Sequence, residues 1–483
     1  MPHPLHIQLP TPTAPRHLRA IVLLGYGNIG QALTPLLRRR FPALPIDVVD
    51  ERMAADQVAI AEAHQLRWTR LRVTRDNHAE ALAPLVAAGT LVINVATSIG
   101  SHDLIDWAQQ RGANYLDTCI DPWSYQDGEL DSAANTNYRM REAVLALQAS
   151  QRGQRQPTAV VAHGANPGMV SVLVKEALLM MAREHLAVPA APCSAVEWAL
   201  LAESLGVRVI QIAERDSQRS DLPRGAHEFV NTWSVDGFVA EALQPAELGW
   251  GSHEATGPMA ARARHHASGC GAAVYLDCMG VAAQVRTWTP AAGDFVGRLI
   301  SHNEAISLAS FLTVPATATV AAAEPAEPAA PRYRPTVYYA YHPCDQAMDS
   351  LDLLACGHRD AIASSRVLKD ELVDGIDELG VRLISDRHPS LWLGSQLSIE
   401  RARAIAPHNN ATSLQVVGSM LAAIEWLDGH PHAGIVESEA LDHDFILQHA
   451  RPYWEPIVHA WHRVPAPAGD AAPCTLDAFW VGA

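Results

Sequence analysis

The segment LRAIVLLGYGNIGQALTPLLRRRFPALPIDVVD, residues 18–50, constrains the fold of this chain more than any other. An apolar run, residues 20–24, reads as a buried parallel strand. Gly25, Gly27 and Gly30 follow at G-x-G-x-x-G spacing and open an amphipathic helix, and a second apolar strand ends in Asp50. This is a complete dinucleotide-binding context. Gly25 permits the tight turn, Gly27 lets the backbone approach a pyrophosphate, and Gly30 lets the helix pack close on the strand. Asn28 and Ile29 stand at the helix N-terminus, where free N–H groups face the phosphates. Asp50, twenty residues after Gly30, is placed to accept hydrogen bonds from an adenosine ribose. A carboxylate there repels a 2′-phosphate, so NAD is expected over NADP, with Arg52 next door weakening the discrimination. Pro35 is expected to kink the helix or start a new turn.

The alternation continues through LRVTRD (71–76), a helix, TLVINVATS (90–98), a second helix and ANYLDTCIDPW (113–123). This rhythm requires a doubly wound parallel sheet, a Rossmann-type α/β fold. The strand-end loops near Asn94 and Ser98, and near Asp117, Thr118 and Asp121, then border the cofactor crevice. In TAVVAHGANPGMVSVLVKEALLMMA, Asn166 closes a strand and can reach a ligand amine, while Lys175 on the following helix is read as solvated.

From about residue 192 to 310 the periodicity changes to short strands, among them SAVEWALLAE, VRVIQIAERD, HEFVNTWSV, AAVYLD and QVRTWTP. They predict a second α+β domain for substrate binding, built on a largely antiparallel sheet, to which the resemblance given below adds dimerisation. The expected boundaries are 1–165 for the dinucleotide domain, completed by about 393–430, with 166–392 and 431–483 forming the second domain. An Ala/Pro-rich excursion at 313–331 is exposed and peripheral.

Chain-wide properties exclude several classes. With 36 Lys+Arg against 52 Asp+Glu, the net charge of −16 disfavours nucleic acid and anionic membranes. No stretch approaches a membrane span, and seven scattered cysteines without a C-x-x-C pair read as reduced thiols of a cytoplasmic protein. No metal site is expected.

The stretch VNTWSVDGFVAEALQPAELGWG (230–251) is unusual. It carries Trp233, Phe238, Trp250, Asp236, Glu241 and Glu247, with Glu254 just beyond, and no Lys or Arg occurs between Arg224 and Arg262. Carboxylates beside aromatic faces suit an ammonium ligand, since the ring quadrupole attracts a cation. Glu214 ends an upstream apolar strand, and Asp374, Asp377 and Glu378 add acids downstream. Beside a nicotinamide cofactor, such a pocket points to hydride transfer at a carbon next to an amine.

The runs GYGNIG, YLDTCIDPW, HGANPGMVS, IAERDSQR, VNTWSVDGFVAEALQPAELGWG, SGCGA, HNEAIS, YAYHPC, DGIDELG, GSQLSIE and NNATSLQV resemble bacterial homospermidine synthases, of the group similar to saccharopine dehydrogenase. The resemblance covers nearly the whole chain. It implies a redox-neutral aminobutyl transfer with NAD as hydride acceptor and then donor. Putrescine or spermidine is the donor and putrescine the acceptor; the products are homospermidine with ammonia or 1,3-diaminopropane. It also implies a homodimer. Trp233 would hold the ammonium or imine cation, Glu214 and Glu241 would bind amines, and Asn166 would hydrogen-bond near the reacting carbon. Glu214 is assigned the proton-accepting role with His302 as a second candidate, and Asp377 would anchor the far amine. Asp121 stands where relatives are expected to carry Glu, which puts its contact with the far ammonium in doubt. Two rivals remain: a saccharopine- or carboxyspermidine-type dehydrogenase, which would need an Arg or Lys clamp for substrate carboxylates, and a non-catalytic NAD-binding sensor.

Overall fold

The computed structural model describes residues 9–97, 99–123, 136–186, 191–267, 269–316, 330–356, 362–464 and 473–483. Of the residues singled out above, Ser98 and most of the Ala/Pro-rich excursion lie outside them.

The glycine fingerprint sits at the centre of a seven-stranded sheet. Its strands run in the order Ile435–Glu437, Ala159–Val161, Asn114–Asp117, Thr90–Asn94, Ala20–Leu24, Ile46–Asp50, Arg67–Arg70, and every pairing is parallel. The central strands are apolar runs buried on both faces, as parallel strands covered by helices must be. The last strand on one edge is Arg67–Arg70 rather than 71–76, and all four of its residues are exposed. A fully solvated edge shows no alternation by which its limits could be read. Pro35 lies inside the helix Asn28–Arg40, which continues for five residues beyond it.

The second sheet has eleven strands. Its main path runs Ala263–His265, Ala273–Met279, Pro245–Gly249, Thr336–His342, Val207–Asp216, Ile376–Ser385, Ser390–Ser398, Ile457–His462, with Gln284–Thr289, Gly293–Ile300 and Trp480–Gly482 branching from it. Only Val207–Asp216 and Thr336–His342 pair in parallel, so the sheet is largely antiparallel as expected.

Two expectations are corrected. SAVEWALLAE is not a strand: residues Ala195–Ser204 form a helix, started by a capping box in which Ser194 and Glu197 bond reciprocally. The S-x-x-E pattern outweighed the apolar content. The return of the late chain to the cofactor domain is also differently placed. Ser390–Ser398 belongs to the second sheet, Ala411–Gly429 packs on the fingerprint helix, and the completing strand is Ile435–Glu437. Asp428 secures that return, accepting the backbone N–H groups of Arg16, His17 and Leu18 at 2.7–2.9 Å.

Register fixes the site. In the second sheet Tyr341 is paired with Glu214, Leu379 with Glu214 and Asp377 with Asp216. Because successive side chains alternate across a strand, Glu214, Asp216, Tyr339, Tyr341 and Asp377 share one face, against the helix Ala411–Gly429.

Candidate active site

The glycines behave as their spacing requires. Gly25 adopts φ +90°, and a Cβ there would lie 2.9 Å from the backbone nitrogen of Ala96. A Cβ on Gly30 would come within 2.5 Å of the Gly25 carbonyl oxygen, so this glycine lets helix and strand close. Gly27 differs, because a Cβ on it would meet nothing within 4 Å. The open space over Gly27 is where a pyrophosphate would approach. Beside it the buried Asn28 amide has neither its nitrogen nor its oxygen hydrogen-bonded. Asp50 accepts the N–H of Tyr26 at 2.6 Å and of Arg52 at 2.7 Å, which fixes its carboxylate at the end of the second strand. The Arg52 guanidinium instead reaches Glu51. These residues fit an adenine dinucleotide.

Asn94 and Asp117 shape the crevice from beneath. Asn94 donates to the Ile99 carbonyl at 3.0 Å. Asp117 is fully buried and accepts the Ala162 N–H at 2.6 Å and the Tyr115 hydroxyl at 2.8 Å. Burial pushes its carboxyl up to about 7. It therefore braces two strand ends instead of facing a ligand, correcting the expectation of a direct contact. Thr118, half-buried, lies beside Gly164 at the mouth.

On the second sheet, acids gather with few donors. Glu214 is 2% exposed and accepts the Tyr339 hydroxyl at 2.6 Å. Burial raises its carboxyl to about 8, with Asp216 adding to the effect and Tyr339 and His302 opposing it. Asp216 is raised to about 6 by burial, against hydrogen bonds from the Gln218 N–H at 2.8 Å and the Thr232 hydroxyl at 2.7 Å. Asp377 is fully buried with neither oxygen in a well-formed hydrogen bond. Burial, then the charges of Glu214 and Asp216, hold it well above the usual carboxylate range. Buried acids without a counter-charge are costly, and here three stand together.

The opposite wall is a second charged group. His302 donates through Nε2 to Glu241 at 3.0 Å and through Nδ1 to Glu304 at 3.2 Å. Burial works against its charge, but Glu304 and Glu241 outweigh it, and the imidazole is held well above its ordinary value. Both ring nitrogens are engaged by carboxylates, so the second candidate for accepting the amine proton also positions Glu241 and Glu304. The Cys119 thiol, just before Asp121 in sequence, lies 3.9 Å from Glu241 and ties the strand-end loop of the first domain to this wall.

Aromatic rings join the two groups. Trp233 stands 5.4 Å from Phe238, Phe238 5.5 Å from Tyr341, Tyr341 5.2 Å from Tyr339, and Tyr339 4.5 Å from His302, centroid to centroid. Asn166, whose side-chain nitrogen is buried without a partner, lies beside the Tyr339 hydroxyl. Trp233, Glu214, Asn166, His302, Glu241 and Asp377 are thus brought into one neighbourhood.

The remaining acids go elsewhere. Glu247 accepts the N–H groups of Asn137 and Tyr138, and Glu254 the Thr336 hydroxyl and the Leu476 N–H. Glu378 points to the other face, accepting from Thr289, Ala291 and Gln396. Asp374 pairs with Arg219 in solvent, Asp236 is exposed, and Trp250 is core. Lys175 is buried, not solvated: its Nζ donates to the Glu439 carbonyl at 2.6 Å between the rings of Trp198 and Phe311, and burial lowers it to about 8. Asp216, Glu304, Tyr339 and Tyr341 were not anticipated. The alternation around Glu214 in IAERD was a usable signal for Asp216, and HNEAIS held Glu304 two residues from His302.

Among the described residues no group of three or more His, Cys, Asp or Glu is arranged to hold a metal ion, and no helix is long and apolar enough to cross a membrane. All seven cysteines are free thiols.

Comparison with known proteins shows the family. The saccharopine dehydrogenase NADP binding domain matches residues 21–160, and the saccharopine dehydrogenase C-terminal domain matches residues 164–459. The homospermidine synthase of Blastochloris viridis is 45% identical over 450 residues, covering 91% of this chain and 90% of that one. The homospermidine synthase of Mesorhizobium japonicum is 39% identical over 450 residues, covering 90% and 89%. Among solved structures, the homospermidine synthase of Legionella pneumophila in complex with NAD superimposes with a TM-score of 0.85 at 37% identity, covering 96% of this chain and 98% of that one.

Proposed function

This chain belongs to the homospermidine synthases of the saccharopine dehydrogenase-like family, and from that premise we propose that it transfers an aminobutyl group from putrescine, or spermidine, to putrescine. Two putrescines give homospermidine and ammonia, with no net change in the cofactor. One observation carries the reading to this site: the buried acids Glu214, Asp216 and Asp377 stand beside the rings of Tyr339 and Tyr341, and among the described residues no salt bridge neutralises any of the three. Such a cluster suits a ligand bearing two ammonium groups.

Bound NAD supplies the acceptor of a hydride from the carbon next to one amine and returns that hydride to the coupled imine. Asn28, the open face of Gly27 and Asp50 would hold it. With Asp50 already fixed and the Arg52 guanidinium drawn to Glu51, a 2′-phosphate finds repulsion and no paired arginine, so NAD is favoured over NADP.

Hydride loss requires a neutral amine. Glu214 holds its own proton in the amine-free protein, since burial raises it to about 8; once a bound dication favours its ionised form, it can take the proton from the amine and later return it. Asp377 anchors the far ammonium, whose charge offsets the burial of that carboxylate. Trp233 holds the cationic imine against its ring, worth about 2 kcal/mol when desolvated. Asn166 offers its unpaired amide near the reacting carbon. Glu241, held in place by His302, faces the second amine, and Asp121 extends the anionic rim from the first domain.

The carboxylated-substrate alternative lacks its clamp. Arg215 is paired with Asp345, Arg219 with Asp374, and Arg262 lies over Trp480. The family reading also implies a homodimer in the cytoplasm, and sedimentation velocity reads the assembly directly. The deciding experiment incubates the protein with putrescine and NAD+ and follows ammonia and polyamines by mass spectrometry beside NADH absorbance. Homospermidine and ammonia without net NADH are expected. Stoichiometric NADH without a coupled product would make it an amine dehydrogenase, and no turnover would favour the sensor.

A further inference from the structure

The face of the second sheet turned away from the amine pocket has the opposite character. There Arg382 is 2% exposed, on the strand paired between Val207–Asp216 and Ser390–Ser398, yet no carboxylate of the described residues lies within ion-pair distance of it. Its Nη2 donates to the His462 Nδ1 at 2.9 Å, its Nη1 makes a long contact of 3.4 Å with the Gln211 amide oxygen, and its Nε has no acceptor. The guanidinium carbon lies 5.9 Å from the Trp288 ring, on which His462 stacks at 4.4 Å. The partners are therefore neutral. Burial lowers the guanidinium to about 10, with Asp294 opposing from a distance.

Contrast shows how unusual this is. Arg141, equally buried, is held by both oxygens of Glu437 at 2.6 and 2.8 Å. A guanidinium removed from water without an anion is unfavourable unless something completes it. The space in front of Arg382 is a groove of about 920 Å³, large enough for a metabolite. Arg286, Arg387 and Arg463 stand on its margin and Phe295 and Phe479 form apolar walls. Of its two acids, Asp386 is already engaged by Arg208 at 2.7 Å and Arg387 at 3.6 Å, which leaves Asp294. In a chain of net charge −16, such a concentration of arginine is not a compositional accident.

We propose that this groove binds a small organic anion, a phosphate ester or polycarboxylate, whose charged head meets the fork of Arg382 and whose apolar body lies against Phe295 and Phe479. The planar fork suits bidentate recognition of phosphate or carboxylate. The site lies on the opposite face of the sheet from Glu214 and Asp377 and shares with Asp377 the strand Ile376–Ser385.

The test is calorimetric titration of the NAD-saturated protein with inorganic phosphate, AMP and citrate, saturation keeping the probes out of the dinucleotide site. At least one probe is expected to bind saturably with a dissociation constant of about 1 mM or tighter. AMP stronger than phosphate would identify a phosphate ester, and citrate strongest a polycarboxylate. Arg382→Met is expected to weaken that binding at least about tenfold, equivalent to 1.4 kcal/mol. The exposed-margin variants Arg286→Gln and Arg463→Gln should weaken it several-fold with putrescine turnover unchanged, and they carry the test if Arg382→Met does not fold. No saturable binding up to about 10 mM, or binding of equal strength in wild type and the margin variants, overturns the proposal.

Discussion

Replacing Glu214 by Gln should stabilise the amine-free protein increasingly as the pH rises. Glu214 binds its proton up to about pH 8 in the folded protein, against 4.5 for an ordinary glutamate. Between those values the folded state holds a proton that the unfolded state has released, so this side chain makes stability fall with rising pH. Between pH 6.5 and 8 the effect of Glu214 alone amounts to about 2 kcal/mol. His163 and His253, both lowered to about 4, still finish their unfolded-state titration at the lower edge of the window and Lys175 begins to contribute at its upper edge, but all three are common to both proteins. His302 and Asp117 titrate in the same direction but are common to both proteins, so the difference between wild type and variant reports Glu214 together with its charge coupling to Asp216 and Asp377. The assay is the thermal midpoint of NAD-loaded protein at constant ionic strength. A wild-type midpoint that falls by about 2 °C relative to Glu214→Gln is expected, because a chain of 483 residues unfolds with about 1 kcal/mol/K of entropy. Putrescine should cancel the trend, since its ammonium groups favour the ionised cluster. A midpoint difference independent of pH, or a variant that loses ground as the pH rises, would refute the electrostatic account of the site.

Two further outcomes follow from the geometry. Trp233→Phe should retain part of putrescine turnover, while Trp233→Ala, losing about 2 kcal/mol of ring attraction, should fall about 30-fold with NAD affinity unchanged; steady-state kinetics beside NAD titration separates the two. Gly27→Ala should fold normally, because its Cβ meets open space, yet lose NAD affinity, whereas Gly30→Ala should lower the thermal midpoint, because its Cβ would strike the Gly25 carbonyl; calorimetry reads both.

The cofactor half was legible because its determinants are local. Three glycines, a helix start and an acid twenty residues on are fixed by one strand, turn and helix. The amine pocket was legible only in part. Trp233 and Glu241 lie in a stretch cleared of cations, but Glu247 and Glu254 share that stretch and instead cap backbone N–H groups of Asn137, Tyr138 and Leu476. Nothing local distinguishes an acid that meets a distant N–H from one left open to a ligand. Asp216 beside Asp377 depends on a strand pairing across 161 positions of sequence, which alternation alone does not specify. Lys175 was misread for a related reason: its helix is apolar on most sides, and the covering segment that supplies the carbonyls of Glu439 and Leu441 arrives from the far end of the chain.

The late return of that segment also bears on synthesis. The strand Ala159–Val161 leaves the ribosome early, but its outer neighbour Ile435–Glu437 emerges roughly 270 residues later, about 15 to 55 s at ordinary elongation rates. Throughout that interval the first domain carries an uncovered parallel edge, the kind of surface on which other chains add. A nascent chain of this protein therefore depends on the strand Ile435–Glu437 to close the first domain it began, and truncation before that strand should be expressed in the solubility of the N-terminal half.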